Sequence, residues 1–233
     1  MTEWGCNGIH EDVKPLFSGN IAALIIGWGG IAVAQPPGVA PLSGMPAAAP
    51  AAQAAPAEVL LSAQDAVAEL GKQVVLGRYQ VAIERMNPLW KERMAARMGG
   101  VQEMEKQLAG VSDQMLQQGI SIISFQPQGQ PSSYEVGPGK KVETVDGREV
   151  ESLIYTKWLV LVPTLTKFRM FPKGAPKAVV IESTGFQAAI SDKGKDDWTF
   201  IDGSSLTQNE LRQLFINLPK DMALPPIEKR EAR

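Results

Sequence analysis

Apolar positions along the chain change period once, from helical to extended. Leu60, Ala63, Val67, Leu70 and Val74 recur every three or four residues, the stripe of a helix beginning near Glu58 with one buried side. Gly77 stops it. Arg78 to Met86 reads as a short second helix, broken by Asn87-Pro88, and Leu89 to Met98 continues as a third with Pro88 in its first turn. After Gly99-Gly100, the apolar residues Val101, Met104, Leu108, Val111 and Met115 make the clearest amphipathic helix, closed by Gly119. From Ile120 the period drops to two. Ile120 to Phe125 predicts a strand, and Ser133 to Val136 starts another, with Gly137-Pro138-Gly139 as a loop or bulge. Val142 to Val145 and Glu149 to Val162 flank Asp146-Gly147, a tight-hairpin signal. The second arm is expected to run on to Phe171, with a bend or bulge at Pro163. Ala178 to Ile190 predicts another long strand, bulged at Gly185, and Trp198 to Asp202 the last. Thr207 and Glu210 carry the capping-box spacing of a short helix. Helices first and long antiparallel strands afterwards predict an α+β fold: N-terminal helices packed on one face of a curved antiparallel sheet, an α+β cone with a pocket inside.

The residues ahead of Glu58 follow neither period. Ile21 to Ala34 is uncharged and ends in Ala32-Val33-Ala34, the small-x-small pattern of a signal-peptide cleavage site. Residues 1–34 therefore read as an export signal, to a periplasmic or secreted destination; the alternative is an uncleaved membrane anchor. Lys14 is its only base against Glu3, Glu11 and Asp12, so residues 1–12 read as upstream sequence, with Val13 as an alternative start. Residues 35–57 hold six prolines and nine alanines and no charge, the composition of an extended linker. The domain is placed at 58–219, and 220–233 as a charged tail ordered only in part.

Composition narrows the chemistry. The 233 residues carry 23 bases and 25 acids, and removing the export signal leaves the two in equal number. Such a surface does not suit a nucleic-acid binder, and a membrane enters only through an uncleaved signal. Cys6 and His10 are the only cysteine and histidine, and both lie in that signal. The exported chain would have no Ser-His-Asp triad, no Cys-His dyad and no ordinary zinc site, so no metal and no cofactor is expected.

Few side chains remain as candidates. Glu182 shares the even-numbered face of its strand with Val180, Phe186 and Ile190. Were that the cone interior, its carboxyl would be raised and could act as a general base with a tyrosine such as Tyr155. The competing reading pairs Glu182 with Lys157 or Arg169 across the sheet. Lys157 and Arg169, near Trp158 and Phe168, could present cations and aromatic walls to a small apolar or weakly acidic ligand, or form an exposed sheet face. Tyr79 and Trp90 are expected to plug the helix–sheet core, and Asp202, before Gly203-Ser204-Ser205, reads as a turn carboxylate accepting backbone N–H groups.

Two segments carry a family resemblance. GRYQVAIERMNPLW with MGGVQEMEKQL is similar to the helical half of nuclear-transport-factor-2-like proteins, and AAISDKGKDDWTFIDGSSLTQNELRQLF resembles the last hairpin of their small exported bacterial members. The resemblance spans roughly Glu58 to Pro219. It implies a cone-shaped α+β fold with a central pocket, for which a homodimer is a frequent assembly. It implies no reaction, because the fold hosts enzymes, adaptors and binding modules. Ketosteroid isomerase and the SnoaL-like cyclases of this group use an aspartate or histidine base with tyrosine or acid donors, and no carboxylate here sits in a motif matching theirs. The expectation is thus an exported, non-catalytic module for a small ligand or a protein partner. The alternative is a pocket enzyme, an isomerase or hydrolase, using Glu182 with a tyrosine.

Overall fold

The computed structural model describes residues 54–145, 148–171 and 177–232. The export-signal reading of residues 1–34 and most of the linker lie outside them.

Helix α1 spans Ala57–Val75 and buries Ala63, Val67 and Leu70 of the expected stripe. The short α2 (Gln80–Glu84) leads into α3 (Pro88–Met98), which has Pro88 at its start, where a missing N–H costs no helical bond. Gly99 ends it in the left-handed conformation, at φ 85°. Helix α4 (Val101–Gln117) turns Met104, Leu108 and Met115 inward. Among the described residues, four helices therefore precede the sheet.

Six antiparallel strands form one open sheet: β1 (Ser121–Pro127), β2 (Ser132–Val145), β3 (Arg148–Met170), β4 (Val179–Asp192), β5 (Thr199–Asp202) and β6 (Lys229–Glu231). The long β3 and β4 pair along their shared length and make a spine. Each outer edge is divided between two partners: β2 and then β1 along β3, β5 and then β6 along β4.

That division explains why Pro163 makes no bulge in the pairing of β3 with β4. Pairing of β3 with β4 runs through Pro163↔Phe186 and Thr164↔Gly185 without a shift. Pro163 falls between the last β2 partner, Leu161, and the first β1 partner, Thr164, and its carbonyl accepts from the Gln128 amide at 2.8 Å. A residue's N–H and C=O point to the same side of a strand, so the N–H that proline lacks would have faced this changeover. The register shift lies in β1 instead, between Ile122 and Ser124.

Alternation along the spine puts two cores on opposite faces. Trp158, Val160, Val162, Ala189 and Phe200 pack with Ala63, Val67 and Leu70 of α1. Leu159, Leu161, Ala188, Ile190 and Ile201 join Trp90, Met94 and Met104 and, from the C-terminal part of the chain, Leu211, Phe215, Leu218 and Met222. The second core is shared: α5 (Gln208–Leu214) and the residues after it pack there together with Trp90 and Met94 of α3 and Met104 of α4. Helix α5 starts at the expected box, where Thr207 Oγ1 accepts from the Glu210 amide and Glu210 Oε2 accepts from the Thr207 amide.

The segment read as a charged tail does not stand apart. Met222 is buried, and β6 adds to the edge of β4 opposite Ile181, Glu182 and Ser183. Sequence periodicity has no reach here, because three residues carry no detectable pattern and their partner lies some 48 positions away.

Candidate functional site

The two spine strands change character along the α1 face. Val160, Val162 and Ala189 are packed under α1, but the next positions are Thr164 opposite Gly185 and Thr166 opposite Ser183. These small side chains leave space beneath the helices. The result is a cavity of about 220 Å³, floored by Thr164, Thr166, Phe168, Ser183, Gly185 and Gln187 and roofed by Leu70, Val74, Ala82, Leu108, Val111 and Met115. The α4 stripe thus faces a cavity as well as packed core. Phe125, Trp90, Phe186 and Phe200 add aromatic walls, and Ile227 and Lys229, both exposed, stand at the rim.

Polar groups are few and placed at different depths. Asp202 closes β5 and lines the cavity beside its pairing partner Gln187. Its Oδ1 accepts from Gln187 Nε2 at 3.3 Å and from the Ser204 amide at 3.2 Å, and its Oδ2 accepts from Ser204 Oγ at 2.6 Å. Burial nevertheless outweighs these donors and pushes the carboxyl above the ordinary aspartate range. Burial likewise raises the Tyr79 hydroxyl on the cavity wall, and partial desolvation lowers the Lys229 ammonium at the rim.

The shift of Asp202 has a stability consequence. The folded chain holds this proton more tightly than the unfolded one, so stability falls as pH rises from about 3.9, the ordinary aspartate value, through the raised folded value. Asp202→Asn cannot ionise and keeps an acceptor for the Ser204 amide. Its melting temperature relative to the parent is therefore expected to rise between pH 4 and pH 8, followed by circular dichroism. A variant that loses ground over that range contradicts the assignment.

The residues singled out in the sequence are dispersed. Glu182 is outside the cavity lining and on the opposite face of β4 from Ser183 and Gln187. It pairs with Lys167 at 2.9 Å and with Arg230 at 2.9 Å. Hydrogen bonds from Lys167 and then Arg230 hold its carboxyl below the usual range, the reverse of what a cavity base needs. The reading of Glu182 as a buried base is thereby corrected; across-sheet pairing occurs, with Lys167 and Arg230 in place of Lys157 or Arg169. Tyr155 lies opposite Pro138 on the hairpin arm, away from the cavity.

Lys157, Trp158, Phe168 and Arg169 form no single cluster. Lys157 pairs with Asp192, and Arg169 is exposed opposite Val180. Trp158 is buried in the α1 core with the Lys193 ammonium 4.6 Å from its ring centre. Only Phe168 lines the cavity. The two aromatics are ten residue steps apart, about 33 Å of strand, and the cations occupy odd positions, hence the other face.

Asp202 is the residue the sequence reading undervalued. The turn role is present, since Oδ1 accepts the Ser204 amide. The cavity role was encoded in parity: Phe200 and Asp202 share one face of β5, opposite Ala189 and Gln187 of β4. Among the described residues, no group of three His, Cys, Asp or Glu side chains is placed to hold a metal ion, and no helix is long and apolar enough to cross a membrane. No family model, curated protein or solved structure matches the chain.

Proposed function

We propose that this protein is a non-catalytic binding module that holds a small, mostly apolar ligand in the cavity, on a cone-like fold of the nuclear-transport-factor-2-like kind, and that it acts after export. The cavity itself carries the reading. Its walls are aliphatic and aromatic, its polar groups are few, and it lies between helices and a sheet face, features typical of small-molecule sites. Four helices ahead of an open antiparallel sheet support the cone, and the Ala32-Val33-Ala34 ending of an uncharged run supports export.

Native mass spectrometry of the protein isolated from its producing cells tests both parts. The expected species begins at Gln35 and carries a small apolar adduct that dissociates on activation. A chain retaining Glu11 and Asp12 contradicts export. A species without adduct that also fails to take up added six-carbon alcohol contradicts ligand binding.

One observation favours an enzyme as the second reading: the raised Asp202 carboxyl and the Tyr79 hydroxyl both line the cavity. The binding reading is preferred because the Asp202 oxygens already accept three hydrogen bonds from Gln187 and Ser204, which hold the group in the β5 turn.

A further inference from the structure

The acceptor capacity of Asp202 identifies the ligand class, given the binding reading above. A carboxylate offers about four lone-pair sites over its two oxygens. Gln187 Nε2 and the Ser204 amide use both sites of Oδ1, and Ser204 Oγ uses one of Oδ2. One site on Oδ2 remains, in a residue that lines the cavity. We propose that the cavity selects an apolar molecule bearing one N–H or O–H donor, and that this donor lands on Oδ2 of Asp202.

Three physical arguments support this. Oδ2 accepts from Ser204 Oγ at 2.6 Å, and a ligand donor would fill its second lone-pair site in apolar surroundings, where a hydrogen bond to a carboxyl oxygen counts for more than in water. The acceptor is also preorganised: Asp202 ends β5, starts the 3-10 turn Gly203–Ser205 and is held by the buried Gln187, so little ordering remains to be done on binding. Finally, a ligand carboxylate at the same place would bring acceptor oxygens against acceptor oxygens, with two like charges together wherever Asp202 is ionised. Lys229, opposite Ser183, could attract an acid, but Ser183 lies four residues along β4 from Gln187, about 13 Å from the Asp202 end. Acid binding would therefore seat the head group at the rim, and donor binding would seat it inside.

Cavity size sets the probes. At about 30 Å³ per water-sized group, the cavity takes roughly seven such groups. 1-Hexanol, hexylamine and hexanoate have nearly this size and differ only in the head group. Calorimetric titration of the full chain at pH 7 is expected to show hexanol or hexylamine, or both, binding at least ten-fold more tightly than hexanoate. Comparison of the two separates a neutral donor from a cationic one. In Asp202→Asn, whose folding is checked by urea denaturation, that preference is expected to shrink at least ten-fold. Hexanoate binding tightest, with its affinity lost in Lys229→Gln, overturns the inference while leaving a binding cavity. An unchanged preference in a folded Asp202→Asn also overturns it. Failure of all three probes removes the binding reading together with the inference. The parent-chain comparison decides between head groups even where the variant does not fold.

Discussion

Phe186→Ala is expected to cost the fold about 3–5 kcal/mol. Phe186 is 1% exposed in the middle of β4, within the core that joins Leu161, Trp90 and Leu211. Its ring also seats the turn after β5: a Cβ on Gly203 would lie 2.6 Å from two ring carbons and 2.6 Å from the Phe186 carbonyl oxygen. Truncation removes the burial of a large side chain and, because Phe186 already lines the cavity, enlarges the void. A domain of this kind has only about 5–15 kcal/mol in hand, so urea denaturation should show a large fall in midpoint at nearly unchanged slope. A loss under about 1 kcal/mol would mean that the ring does not hold this junction.

Gly71→Ala reverses a general rule. In an exposed helix interior this change stabilises by about 1 kcal/mol, because alanine restricts the unfolded chain and favours the helix. Gly71 is buried in α1, where a Cβ would stand 2.3 Å from Phe125 Cδ1 and 2.8 Å from the Phe125 carbonyl oxygen. The ring can rotate away, but the carbonyl belongs to β1 and cannot move without disturbing its pairing with Thr166. A cost of about 1–3 kcal/mol is expected from the overlap. Gly110→Ala in α4, where nothing lies within 4 Å of the added carbon, is the control and should be neutral or stabilising. Equal behaviour of the two variants would show that α1 does not approach β1 this closely.

Local features were legible in the sequence because their causes are local. The α1 and α4 stripes, Pro88 at a helix start, the capping box at Thr207 and the lengths of β3 and β4 all follow from spacing and turn chemistry within a few residues. What escaped depended on distant partners. Alternation showed that Glu182 and Ser183 face opposite ways, but the covering elements decide which side is cavity, and those are α1, α2 and α4. Grouping Lys157 and Arg169 with Trp158 and Phe168 ignored that same parity. The bulge assigned to Pro163 assumed a continuous outer neighbour, whereas β3 changes partner there. The cavity had a sequence signal, the change from Val160 and Val162 to Thr164 and Thr166 on one face, but its meaning required knowing that Gly185 and Ser183 sit opposite.

The most direct test of the cavity as a ligand site is an intermolecular nuclear Overhauser experiment on methyl-labelled protein with 1-hexanol. Cross-peaks from the alkyl chain to the methyls of Leu70, Leu108, Val111 and Met115 are the predicted result. Cross-peaks confined to exposed apolar residues of the hairpin arm, such as Val142, Val150 and Leu153, would contradict it.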